Sequence, residues 1–155
     1  MSAARSDPAT GVPQPDTLHR FLFEQLGVRG QLVCLDAAYQ AVLSRHSYPA
    51  PVQSLLGEAL ASVLLLTATL KFEGSLTLQA QGSGPIRTLV VQGSHNGKVR
   101  GLAHWDGDVP PGTLEERFGT GHLALTLQPT RGEHYQGIVP LEGPGLGAAI
   151  EAYFG

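Results

Sequence analysis

The pattern of apolar and polar positions changes sharply within residues 48–85. The first half of this stretch places valine and leucine at helical spacing behind Pro49 and Pro51, two prolines that the first turn of a helix accommodates. The apolar positions soon surround most of the helix, and Glu58 is the only charged residue before Lys71. A helix that is apolar on nearly all sides must be covered on several of them. The pattern therefore predicts a long core or interface helix.

After Gly74 the period becomes alternating, with Leu76, Leu78 and Ala80 on one side and polar residues on the other, as in a half-buried strand. Further strands are predicted at residues 86–92, 98–105, 122–128 and 134–141. Asn96-Gly97 is a strong hairpin signal between the first two of these. Hairpin strands that follow a cluster of helices predict an α+β fold. We expect a largely antiparallel sheet packed against a few helices, including one long apolar helix.

The segments outside this frame predict shorter elements. A helix is predicted at residues 17–24, because Leu18, Phe21, Leu22 and Leu26 form an apolar face at helical spacing. The other predicted elements are a strand at residues 29–35 and helices at residues 36–46, 113–118 and 145–154.

Length and composition are those of one folded domain. The 155 residues include 42% apolar and 15% charged residues, which is typical of a globular chain rather than a disordered one. Residues 1–15 are small, polar and proline-rich, so we expect them to be disordered. The folded domain is therefore predicted to span residues 16–155.

Charge and cysteine content narrow the function classes. A net charge of −3, mixed in sign along the chain, argues against a nucleic-acid partner. The apolar residues 59–70 are too few, and too closely flanked by Glu58, Lys71 and Glu73, to predict a membrane span. A single cysteine, Cys34, excludes an internal disulfide and fits a reducing compartment. Because no secretory signal is visible either, we expect a cytoplasmic location.

Candidate chemistry is sparse. Cys34 lies in the middle of a predicted strand, where a packing role is favoured over a nucleophile or a redox sensor. His104, His122 and His134 lie on predicted strands and would form a zinc site only if they met on one sheet face. No acid–base pair, phosphate-binding loop or hydrolase nucleophile is found. We therefore predict no catalytic residue, no metal ligand and no enzyme activity.

Four longer segments occur in the order of one protein family: LHRFLFEQLGVRGQLV, LLTATLKFEGSLTLQAQGSGP, VRGLAHW and GEHYQGIVPLEG. In these segments the chain, from about residue 16 to residue 154, resembles the redox-regulated thirty-three-kilodalton heat-shock chaperonins of bacteria. The resemblance implies an ATP-independent holdase that binds unfolding client proteins under oxidative and heat stress. It also implies a homodimer, an N-terminal substrate-binding and dimerisation domain, a linker, and a C-terminal domain with four zinc-binding cysteines.

The chain resembles only the N-terminal domain of that family. The four zinc cysteines are absent, and Cys34 matches none of them. Zinc is implied for the full-length family protein, and no cofactor is predicted here. We expect the chain to be a fragment of a longer chaperone, with a naturally short relative as the alternative. In both cases client binding is expected to be constitutive, because the regulating cover is missing.

The long helix carries the candidate binding surface. Leu55, Leu60, Leu64 and Leu66 are predicted to contact clients or a second subunit where the sheet does not cover them. The alternative is that these leucines are buried core. Three functions follow: a holdase domain, a structural dimerisation module that binds no client, and a small metalloenzyme built on the strand histidines. The family resemblance favours the holdase.

Overall fold

The structure, a computed structural model, describes residues 2–3, 17–70 and 73–154. Apart from Ser2 and Ala3, the predicted disordered segment at residues 1–15 lies outside this range. The strands are β1 Ser2–Ala3, β2 Thr17–Phe23, β3 Val28–Cys34, β4 Gly74–Gly82, β5 Ile86–Ser94, β6 Val99–Trp105, β7 Gly121–Pro129 and β8 Tyr135–Pro140. The helices are α1 Ala37–Leu43, α2 Ala50–Leu70, α3 Leu114–Phe118 and α4 Leu146–Phe154. The predicted α+β class is confirmed.

The larger sheet has the strand order β6-β5-β4-β7-β8, and its neighbouring strands are antiparallel throughout. Every second residue along its strands is apolar, and these residues form its inner face. For example, Leu78 of β4 pairs with Val91 of β5 and with Leu125 of β7, and all three side chains are buried. The predicted turn before β6 is confirmed, and Gly97 there has a φ of 83°.

Helix α2 covers the inner face of this sheet. One side of the helix is fully buried and consists of Val52, Leu55, Leu56, Ala59, Leu60 and Val63. Close approach is possible because Gly93 of β5 has no side chain: a Cβ at this position would lie 2.5 Å from Cγ1 of Val63. The predicted long helix is confirmed, and it forms the centre of the core.

By length and composition alone, α2 from Ala50 to Thr69 would suffice to cross a membrane. The sequence prediction counted only residues 59–70 and so underestimated this apolar stretch. The central helix of a folded domain has the same composition, because it is covered on several sides. In the structure α2 packs against β4, β5 and β6 of the larger sheet.

The helix predicted at residues 17–24 is wrong, because this segment is strand β2. It pairs with β3 in an antiparallel hairpin whose register places Phe21 opposite Gly30. The turn is closed by the N–H of Leu26, which donates to the carbonyl of Phe23 at 3.1 Å, and by Gly27 at a φ of 64°. The apolar positions fit a helix, but pairing with β3 satisfies the backbone of this segment instead.

The other helices lie within their predicted ranges. Helix α3 begins with a capping box, in which Thr113 Oγ1 accepts the N–H of Glu116 at 3.2 Å. Helix α4 receives its cap from another element, because Glu58 Oε1 of α2 accepts the N–H of Gly147 at 2.8 Å. The lone charge of α2 therefore attaches α4 to the core.

Candidate functional site

The four leucines predicted as a binding surface lie mostly inside the molecule. Leu55 and Leu60 are fully buried, Leu64 is 6% exposed, and Leu66 is half-buried against the core. Their assignment as a client or dimer surface stays a prediction, since either role would require these side chains to become accessible.

The predicted candidates for chemistry do not converge. His104 of β6 and His122 of β7 are separated by two intervening strands, which corresponds to about 14 Å. His134 precedes β8 at the opposite end of β7 from His122. Within residues 2–3, 17–70 and 73–154, no three His, Cys, Asp or Glu side chains are placed to hold a metal ion. Cys34 is half-buried at the end of β3, opposite Thr17.

The β2–β3 hairpin carries exposed apolar side chains, of which the sequence analysis placed only Leu32 on a strand and the others on a helix or on no element. Six large apolar residues between positions 21 and 32 are 41% to 76% exposed: Phe21, Leu22, Phe23, Leu26, Val28 and Leu32. A two-stranded hairpin buries little surface of its own. This concentration of uncovered apolar groups marks the hairpin as an interaction surface.

One face of the hairpin, which we call the outer hairpin face, is formed by Phe21, Phe23, Val28 and Leu32. These residues share a face because Phe23 pairs with Val28 and Phe21 with Gly30. The rings of Phe21 and Phe23 meet edge to face with their centroids 5.5 Å apart. A Cβ at Gly30 would lie 2.1 Å from the Phe21 ring, so the glycine leaves room for the ring to lie across β3.

The opposite face of the hairpin lies across a groove from the C-terminal half of α2, and we call this space the hairpin groove. Its volume is about 740 Å³. It is lined by Arg20 and Leu22 of β2, Arg29 and Gln31 of β3, and Leu65 and Thr69 of α2. Phe21 and Gly30, which belong to the outer hairpin face, also contribute to its lining. The groove therefore combines apolar walls with two guanidinium groups.

A second groove, of about 750 Å³, lies between α1 and the larger sheet. Arg45 and His46 line it from the segment after α1, and Gln92, Arg100 and Leu102 line it from the sheet. Its sheet side is organised by internal hydrogen bonds, since Arg100 Nε donates to Gln92 Oε1 at 2.9 Å. Charged and amide side chains such as Arg45, Arg100 and Gln92 line much of this groove, which makes it less apolar than the surface of the hairpin.

A signal for the hairpin surface is present in the sequence. Phe21, Leu22 and Phe23 are consecutive, so a strand through them must expose apolar groups on at least one face unless both faces are covered. Two polar residues at positions 24–25, followed closely by Gly27, indicate a turn between two apolar runs.

The fold and the site define an α+β domain whose distinguishing chemistry is exposed apolar surface rather than a cluster of titratable groups. The chain belongs to the Hsp33 protein family, which matches residues 16–155. It is 58% identical over 139 residues to the 33 kDa chaperonin of Nitrosococcus oceani, covering 90% of this chain and 48% of that protein. The 33 kDa chaperonin of Photobacterium profundum is 54% identical over 140 residues, with the same coverage of 90% and 48%.

A solved structure agrees with this fold. The crystal structure of the 33 kDa chaperonin from Thermotoga maritima matches with a TM-score of 0.77 over 88% of this chain and 49% of that one. At 23% identity this likeness concerns the fold alone. The chain spans about half the length of the relatives it matches.

Proposed function

We propose that this chain is the client-binding part of an ATP-independent chaperone and that it holds non-native proteins on the outer hairpin face. The observation that carries the proposal is the uncovered apolar surface of the hairpin, with Phe23 and Leu26 more than half exposed. Membership of a family whose relatives are named chaperonins supports a chaperone role.

The physical chemistry of this surface suits many different clients. Unfolding proteins expose apolar side chains, and burying such surface gains about 25 cal/mol per Å² without any directional requirement. Phe21 and Phe23 offer large rigid rings, and Leu26 in the turn extends the surface beyond them. Binding of this kind uses no nucleotide, which is the basis for proposing ATP-independence.

Zinc has no part in this proposal. The resemblance implies a four-cysteine zinc site in longer family members, but Cys34 is the only cysteine in this sequence. One thiolate does not make a structural zinc site, so the residues present do not fit the metal. We propose binding under oxidative and heat stress because the family resemblance implies it. We propose a cytoplasmic location because a lone thiol suits a reducing compartment.

A second candidate function is a structural dimerisation module with no client binding. The same hairpin favours it, because an apolar face that is uncovered in one chain can be covered by the same face of a second copy. A homodimer is proposed in both cases. The two functions differ in whether the hairpin remains open to clients once the dimer has formed.

The deciding experiment measures light scattering of a thermally unfolding client enzyme, with and without this chain, under reducing conditions and without ATP. We expect suppression of aggregation at near-stoichiometric ratio. A folded dimeric sample that leaves aggregation unchanged would contradict the holdase proposal and favour the dimerisation module.

A matched pair of variants tests the surface itself. Phe23→Ser removes an exposed ring from the outer hairpin face, and Tyr135→Ser removes a ring of similar exposure, 60%, from β8. We expect Phe23→Ser to reduce suppression severalfold and Tyr135→Ser to leave it unchanged, with both variants folded by circular dichroism. Equal effects of the two changes would show that suppression does not depend on the hairpin.

A further inference from the structure

The hairpin groove has a chemistry distinct from that of the outer hairpin face. Along its floor Leu22 is paired with Arg29, and Arg20 with Gln31, across the two strands. Leu65 and Thr69 of α2 form the opposite wall. The groove therefore alternates apolar groups with cationic ones, whereas the outer face presents large apolar side chains around Gly30.

The ionised side chains that line the groove are both cations. Within the described part of the chain, neither Arg20 nor Arg29 forms an ion pair, whereas Arg87 pairs with Asp106. These two guanidinium groups are exposed, and they lie in a chain whose net charge is −3. A local positive potential in an otherwise acidic molecule favours an anionic ligand group at this position.

A buried acceptor points to a second feature of the ligand. Oε1 of Gln31 is buried and has no hydrogen-bond partner among the described residues. An acceptor left in this state destabilises the fold until a donor reaches it. The backbone N–H of an extended peptide lying in the groove is such a donor, since Gln31 lines the groove.

We propose that the hairpin groove binds an extended client segment in which a carboxylate side chain stands next to apolar ones. The carboxylate pairs with Arg20 and Arg29, and the apolar side chains pack on Leu22 and Leu65. This inference rests on the proposed chaperone function and specifies which segments of a client are preferred. Acidic-apolar segments bind more tightly than basic-apolar segments of equal apolar content.

The experiment uses three short fluorescein-labelled peptides with one alternating valine–serine sequence and a single variable residue, which is aspartate, serine or lysine. Fluorescence anisotropy with the full chain gives the dissociation constants. We expect the aspartate peptide to bind about tenfold tighter than the serine peptide, which is the ratio that one charge-assisted hydrogen bond provides. The lysine peptide should bind weakest, and the differences should shrink in high salt.

Charge-neutralising variants locate the effect. Arg29→Gln, and the double change Arg20→Gln with Arg29→Gln, should bring the aspartate peptide to the affinity of the serine peptide. Arg131→Gln, which removes the same charge from an exposed turn before β8, should change nothing. Because all these side chains are exposed, the variants are expected to keep the wild-type circular dichroism spectrum.

Two results would overturn the inference. Equal affinity for the three peptides would remove the charge preference. Loss of the preference in Arg45→Gln, but not in Arg29→Gln, would place the site in the groove beside α1. The aggregation assay separates these results from failure of the proposed function, since a chain that suppresses aggregation without charge preference is still a chaperone.

Discussion

Tyr39 shows how one side chain connects two helices of the core. It lies in α1, and its hydroxyl donates to the backbone carbonyl of Gln53 in α2 at 2.7 Å. Its ring lies over Gly57, where an added Cβ would be 3.2 Å from the ring. Burial raises the pKa of Tyr39 above its usual value of 10.0, because loss of water costs the charged phenolate more free energy than it costs the neutral phenol.

This shift predicts a loss of stability in alkaline solution. The folded state favours the neutral phenol, so the contribution of Tyr39 is fully present below the unfolded-state pKa of 10.0 and is lost as the pH rises through the folded-state pKa. Tyr39→Phe should remove this alkaline loss. It should also lower the free energy of unfolding at neutral pH by about 1 kcal/mol, because the carbonyl of Gln53 loses its donor.

Urea unfolding at neutral pH and above the usual tyrosine pKa measures both effects. Tyr135→Phe is the control, since its exposed hydroxyl has no hydrogen-bond partner to lose among those described. If wild type and Tyr39→Phe lose the same stability on going to high pH, the alkaline effect does not come from Tyr39.

At the scale of elements, the error at residues 17–24 is instructive. Apolar residues at positions 18, 21, 22 and 26 fit a helical period, whereas the consecutive apolar residues Phe21, Leu22 and Phe23 break the alternation of a half-buried strand. The choice depended on β3, which pairs with β2 along all seven of its residues. A pairing partner outside the window of local pattern decided the element type.

We expect the leucines of helix α2 to stabilise the fold and those of the hairpin to bind clients. Leu60 of α2 is fully buried, whereas Leu32 on the outer hairpin face is 45% exposed. Leu60→Ala should therefore cost about 2–5 kcal/mol of unfolding free energy through the cavity it leaves. Leu32→Ala should cost less than about 1 kcal/mol and should instead weaken suppression of client aggregation.

Urea titration and the light-scattering assay on the same two variants test this division of roles. The prediction would be reversed by a Leu60→Ala variant that keeps wild-type stability but loses client binding. Such a result would favour the leucines of α2 as the client surface.

At the scale of the whole molecule, stability is unevenly distributed. The core joins α2 to the five-stranded sheet, whereas the hairpin from Thr17 to Cys34 contributes mainly exposed or half-buried side chains. Regions with few buried apolar contacts open locally at a lower free energy than the core.

Amide hydrogen exchange should therefore be slowest in β4, which has hydrogen-bonded strands on both sides, and much faster in β2 and β3. Mass spectrometry of peptides from these segments measures the difference. Equal protection of β3 and β4 at low protein concentration would mean that the hairpin is covered, which would favour the dimerisation module over an open client surface.

The sequence by itself determined the elements whose evidence lies in neighbouring residues. The long helix and the strands from β4 to β8 were predicted because periods of 3.6 and 2 are carried by adjacent side chains, and the turn at Asn96-Gly97 because it needs only local backbone freedom. The family was recognisable for a similar reason, since its segments are long and ordered along the chain.

The tertiary structure decided what depends on distant residues. It showed that Leu55 and Leu60 are fully buried, although an all-round apolar helix does not reveal which side is open. It made a strand of residues 17–23 by pairing them with β3. It brought Arg20 and Arg29 opposite Leu65, which is more than thirty residues away in the chain, to form the hairpin groove. Burial and grooves are properties of contacts between separate elements, and a local pattern of side chains does not contain those contacts.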